Sequence, residues 1–213
     1  MTSAAHDLLL LPFMRAIGLV ILATFAPAIM LGQATGTPSY SAPACAFQSM
    51  ELGAMVSFPE PGGTAYEGVY RAANGRIDVG VRGGVFQPGG FRPSSILAGF
   101  EIRSQIIRHD PAFPLDGALI VGAGGSFVHM ASNYTIPVGL SLGRRISFDG
   151  SALTVFPYLQ PTVLLRGGQT IDTGMIVGLG FGTDVRVSNA LGVRLGAGIG
   201  KLQGVSLGFA LVH

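Results

Sequence analysis

The feature that most constrains this chain is a strict alternation of apolar residues with small or polar ones. Over 173–187, for example, Val177, Leu179 and Phe181 alternate with Gly178, Gly180 and Gly182. This period of two is typical of β-strands whose two faces meet different surroundings. It recurs, separated by turn-forming residues, over 49–58, 64–73, 76–86, 94–107, 117–129, 134–146, 153–166, 173–187, 191–200 and 204–213. The pattern predicts an all-β chain of about ten antiparallel strands, or eight if 153–166, whose faces it does not assign, and one neighbour do not cross.

Composition decides which face of these strands is apolar. Hydrophobic residues make up 48% of the 213-residue chain and charged residues 11%, against about 25% charged in ordinary soluble domains. That share is too small to cover a soluble protein of ten strands. A soluble secreted β-protein that binds a small apolar ligand remains an alternative. The formal net charge of +2, with no basic run longer than two residues, argues against a phosphate-tracking surface, and no nucleic-acid partner is expected.

The N-terminal region predicts export. Arg15 precedes an apolar run over 16–32 that is interrupted by Pro27, which is typical of a secretory signal peptide. We expect a signal peptide over 1–34, cleaved after Ala34. Residues 35–48 are rich in Thr, Ser, Pro and Ala and are expected to form an exposed, flexible leader. The folded domain then covers 49–213.

Together these features favour a transmembrane antiparallel up-and-down β-barrel. The segments run about 10 to 14 residues, and a tilted strand needs ~9–11 residues to cross a bilayer. In such a barrel the apolar residues face lipid and the small or polar ones face the lumen. Closure pairs every backbone group, as hydrocarbon requires. An even number of strands places both chain ends on one side, as in bacterial barrels.

Two segments carry a family resemblance. Residues 136–143 read IPVGLSLG, and residues 205–213 end the chain with VSLGFALVH. With the alternating hairpins, they make the chain resemble small bacterial outer-membrane β-barrel proteins of the OmpA/OmpX and porin-family type. The resemblance implies an outer-membrane location, contact with outer-membrane lipid and recognition by the barrel-assembly machinery. The implied assembly signal comprises Val205, Leu207, Gly208, Phe209, Leu211 and His213, the last standing where an aromatic residue is typical.

The inward positions of the predicted barrel are uneven. One set carries charge: Glu67, Arg71, Asp78, Arg82, Glu101, Arg103, Asp184, Arg186 and Arg194. Another set forms a wall without side chains: Gly122, Gly124, Gly139, Gly143, Gly178, Gly180, Gly182, Gly196, Gly198 and Gly200. We expect the charged side chains to extend across the lumen toward the glycine wall and to pair there. About ten strands leave little free width, so the expected lumen is narrow or plugged.

Evidence for catalysis or cofactor binding is weak in the sequence. No two histidines stand at metal-ligand spacing, and no metal or other cofactor is predicted. His129 and Ser132 loosely resemble the His-x-Ser-Asn motif of lipid A deacylases, but one extra residue separates them. A membrane-embedded lipid-modifying hydrolase is therefore an alternative. The main expectation is a non-enzymatic barrel with a structural or small-solute permeability role.

Loop lengths bear on the same question. If the chain ends are periplasmic, the loops at 59–63, 87–93, 131–133, 167–172 and 201–204 face the cell exterior. These loops are short, which disfavours an adhesin.

Overall fold

A computed structural model describes residues 34–43, 50–129 and 131–213 of the chain. The predicted signal peptide, apart from Ala34, lies outside the described residues, and so do residues 44–48 of the predicted leader. Within the described ranges, no helix is long and apolar enough to span a membrane.

The fold is a closed antiparallel β-barrel of ten long strands, as predicted. The strands are β1 (Glu51–Pro59), β2 (Gly63–Asn74), β3 (Ile77–Pro88), β4 (Ser95–Ile107), β5 (Asp116–Val128), β6 (Ala131–Gly143), β8 (Thr154–Gly168), β9 (Gly174–Arg186), β10 (Leu191–Gly200) and β11 (Gly204–Val212). A two-residue strand, β7 (Ile146–Ser147), pairs only with the beginning of β8. Pairing of β1 with β11 and of β6 with β8 closes the ring.

The outer surface of the barrel is an apolar belt. Every long strand exposes large apolar side chains at alternate positions; one example from each strand in turn is Leu52, Tyr66, Val81, Phe100, Val121, Val138, Leu159, Val177, Leu195 and Phe209. Every charged residue on the long strands lies at an inward position and is buried or half-buried. The alternation in the sequence therefore corresponds to an apolar exterior and a polar interior.

Strand β8 corresponds to the segment 153–166, whose inward and outward faces could not be assigned from the sequence. Phe156, Tyr158 and Leu164 point inward and are buried, whereas Pro157 and Pro161 are exposed on the outer face. Both faces of this strand carry apolar residues, so alternation in hydrophobicity alone does not orient it.

The two ends of the barrel are distinguished here by where the last strand finishes. At the terminal end, the backbone amides and carbonyls of Met50 and His213 exchange hydrogen bonds of 3.1 and 2.9 Å. The loops after β2, β4, β6 and β9 share this end. We call the opposite end, with the loops after β1, β3, β5, β8 and β10, the far end.

Candidate functional site

A buried charge cluster occupies one side of the lumen, on β2, β3 and β4. Glu101 accepts a hydrogen bond from Arg71 and lies 3.8 Å from Arg82 and 3.9 Å from Arg103. Asp78 lies 3.6 Å from Arg71 and 3.5 Å from Arg103. Because neighbouring strands bring opposite charges together here, the pairs form along the wall rather than across the lumen. The predicted lumen-facing residues on these strands are thus brought together.

A second charge cluster lies near the terminal end. Arg194 on β10 donates hydrogen bonds to both carboxylate oxygens of Glu51 on β1, and its Nε lies 3.3 Å from Asp184 on β9. Arg186 is only half-buried and lines a small recess with these three residues. Glu51 was missing from the predicted set, although its position on the polar face of the first segment could have indicated it.

The interior of the barrel is filled by the chain itself. Each residue from 34 to 43 is buried. The expectation that residues 35–48 form an exposed leader is therefore wrong for 35–43. This stretch, which we call the lumen segment, runs from the far end at Thr35 toward the terminal end at Pro43. The sequence hint was its lack of charge combined with hydroxyl residues at every second position.

The alternate hydroxyls of the lumen segment face the charged side of the barrel. Thr35 and Thr37 donate hydrogen bonds of 2.6 and 2.5 Å to the two carboxylate oxygens of Glu67 on β2. Further along, the hydroxyls of Ser39 and Ser41 accept hydrogen bonds from arginines of β3 and β4. The pairs are Arg82 with Ser39, and Arg103 with Ser41 at 2.8 Å. Hydrogen bonds to charged groups contribute ~1.5–3 kcal/mol each, so these contacts hold the segment in one register.

The intervening residues of the lumen segment pack against the glycine wall. The ring of Tyr40 fills the space beside Gly180, and its hydroxyl lies 3.0 Å from where a β-carbon of Gly198 would stand. At the two ends of the segment, Ala34 lies against Gly124 and Pro43 against Gly143. The expectation that charged side chains reach across to this wall is therefore wrong, because the lumen segment occupies that space.

The remaining predicted wall glycines have other neighbours. Their contacts are Gly178 with Leu202, Gly182 and Gly196 with Tyr158, Gly139 with Thr162, and Gly122 with the strand backbone beside Glu101. Gly200 is exposed at the end of β10, where its φ of +88° suits the turn that follows.

Backbone groups also anchor the lumen segment. The carbonyl of Ala34 accepts a hydrogen bond of 2.6 Å from Thr135, and the carbonyl of Ser41 accepts one of 3.1 Å from Ser141. The amide of Ala42 donates to Asp184 at 3.1 Å. The segment is thus tied to β6 and β9 as well as to the charged wall.

Two further sets of predicted residues can be placed. His129 and Ser132 are both exposed at the far end, and no hydrogen bond joins them in the described part of the chain. In β11, Val205, Leu207, Phe209 and Leu211 face outward and Gly208 faces inward, while His213 closes against Met50. The geometry therefore assembles the lumen residues but not a histidine–serine pair.

Comparison with known proteins gives no family assignment. The chain matches no protein-family model, and a search of curated proteins finds no relative. Within residues 34–43, 50–129 and 131–213, no three His, Cys, Asp or Glu side chains are grouped as metal ligands would be.

Proposed function

We propose that this chain is an integral outer-membrane β-barrel protein of the small bacterial type, with a structural role and a lumen closed by its own N-terminal segment. The observation that carries this proposal is the pairing of an apolar exterior with a charged interior. Soluble proteins rarely expose contiguous apolar patches larger than a few hundred Å², whereas here all ten long strands contribute to one. Lipid is the solvent that suits such a surface.

The filled lumen supports a closed barrel rather than a general porin. Residues 34–43 are buried throughout and bonded to strands on both sides of the interior. Solutes larger than small species can pass only if this segment moves, so permeation is confined to small species or to a displaced state of the segment.

In this proposal the signal peptide is removed after Ala34, and the chain reaches the outer membrane through the assembly machinery. Cleavage ends the contacts that Ala34 makes with Gly124 and Thr135 and leaves residues 35–43 as the lumen segment. The last strand presents Val205, Leu207, Phe209 and Leu211 on one face for recognition before it pairs with β1. Outer-membrane lipid then contacts the apolar belt.

Fractionation followed by gel electrophoresis tests the proposal. The protein should partition with the outer membrane and should migrate differently in SDS with and without boiling, because a closed barrel stays folded until heated. Mass spectrometry of the same band should give Thr35 as the first residue. Recovery in the soluble fraction without a heat-dependent shift would overturn the proposal and favour the soluble ligand-binding alternative.

A further inference from the structure

A cavity of about 380 Å³ opens at the far end of the barrel. Its base is formed by Thr35, Gly36 and Thr37 of the lumen segment, whose threonine hydroxyls are engaged with Glu67. The cavity is therefore blind, closed below by the segment and open above. Its volume lies in the range of small-molecule sites, ~300–1,000 Å³.

The walls of this cavity are mainly apolar and are held in place. Phe86 and Leu97 are buried and pack together with Ala65. Val128 and Ile171 add to the apolar lining, as do Pro88 and Pro93. Ile171 belongs to the loop after β8, and although it is a loop residue its side chain is buried.

That loop is fixed to the beginning of β6 by several hydrogen bonds. Asn133 accepts hydrogen bonds of 3.2 and 2.8 Å from the backbone amide and the hydroxyl of Thr170. The side-chain oxygen of Gln169 accepts a hydrogen bond of 2.9 Å from the backbone amide of Ser132. The backbone amide of Gln169 donates one of 3.0 Å to the carbonyl of Ser132. This side of the rim is therefore preformed, which lowers the entropic cost of binding.

Unused hydrogen-bond donors gather on one side of the cavity. Arg92 lies in the loop that leads into β4, Ser95 begins that strand, and Ser126 lies on β5 opposite Leu97. None of the three side chains has a hydrogen bond or ion pair with another residue in the part of the chain that the structure describes. No acidic residue is among those described as lining the cavity.

From this arrangement we infer that the far-end cavity binds a small amphipathic monocarboxylate. The carboxylate pairs with Arg92, the hydroxyls of Ser95 and Ser126 line the same cavity, and the hydrocarbon part lies against Phe86 and Val128. A guanidinium and hydroxyls suit a carboxylate because all of them donate. The absence of acidic groups from the described lining removes a source of repulsion. The inference rests on the proposed removal of residues 1–34, because Ala34 directly precedes Thr35 at the base of the cavity.

Calorimetry with octanoate tests the inference. The processed protein, its N-terminus checked by mass spectrometry, is placed in lipid nanodiscs, and empty nanodiscs give the blank for partitioning into lipid. Octanoate should bind more tightly than octanol, and octyltrimethylammonium should bind more weakly than either. Arg92→Gln should weaken octanoate binding about tenfold and leave octanol binding unchanged.

Two further variants complete the test. Arg76→Gln removes an exposed arginine at the terminal end and should leave octanoate binding unchanged. Val128→Trp places a large ring in the cavity and should abolish binding of both ligands while the heat-dependent gel shift persists. Octanoate heat equal to the blank, equal affinity in wild type and Arg92→Gln, or binding that survives Val128→Trp would overturn the inference.

Discussion

The ring of Tyr40 occupies the space that a β-carbon would need at Gly180. A β-carbon added to the backbone of β9 at this position would overlap three atoms of the ring. Tyr40 belongs to the lumen segment and Gly180 to the barrel wall, so the absence of a side chain at Gly180 leaves the space in which the Tyr40 ring packs. This relationship explains why the wall carries no side chain at Gly180.

Replacement of Gly180 by alanine should therefore destabilise the barrel or displace the lumen segment. We expect Gly180→Ala to lower the free energy of unfolding by ~1–3 kcal/mol, the usual cost of overpacking. Urea titration of the protein in lipid vesicles measures this change. Gly89→Ala is the matched control, because a β-carbon at Gly89 would meet nothing within 4 Å.

A double-mutant cycle assigns that effect to Tyr40. In a Tyr40→Ala background the clash is absent, so Gly180→Ala should cost much less than in wild type. An equal loss of unfolding free energy in both backgrounds would show that the Tyr40 ring does not occupy the space beside Gly180.

The charge cluster should respond strongly to loss of its central carboxylate. Glu101 is buried among Arg71, Arg82 and Arg103, and its neutralisation leaves buried guanidinium charge uncompensated. We expect Glu101→Gln to destabilise the barrel by ~3–5 kcal/mol, measured by the same urea titration. Glu60→Gln, in the exposed loop after β1, should change stability by less than ~0.5 kcal/mol. Similar effects of the two substitutions would argue against a structural role of the cluster.

If the apolar belt faces lipid, the loss of stability caused by an added lysine should depend on where the lysine lies. Val81 lies on the exposed face of β3, away from the strand ends, and Val187 is exposed in the loop after β9. A lysine in contact with the hydrocarbon core costs ~2–4 kcal/mol. Val81→Lys should therefore lower stability in vesicles by about that amount, whereas Val187→Lys should have little effect. If both lysines were tolerated equally, β3 would not face lipid.

Much of the fold could be predicted because each strand carries its own alternation of apolar with small or polar residues in the local sequence. The segment 191–200 coincides with β10, and the other boundaries lie within three residues of those observed. Strand β8 could not be oriented, because Phe156 and Tyr158 on the inner face are as apolar as Leu159 on the outer face. Orientation of this strand depends on its neighbours rather than on its own pattern.

The lumen segment could not be predicted from local sequence. Its Ser, Thr, Pro and Ala composition is typical of a solvated leader, and its burial depends on partners distant in sequence. Thr37 and Glu67 are 30 residues apart, and Ala42 and Asp184 are 142 apart. The charges and glycines of the wall were recognised, but the groups that satisfy them lie in a stretch without apolar periodicity.

Conductance across a planar bilayer tests the closed lumen most directly. The processed wild-type protein is compared with a variant that lacks residues 35–42, and the heat-dependent gel shift verifies that both are folded and inserted. The wild-type protein should show no steady conductance on the nanosiemens scale, whereas the variant should conduct, because its interior has lost the buried segment. A steady nanosiemens conductance in the wild-type protein, or identical traces from the two proteins, would contradict a barrel closed by its own chain.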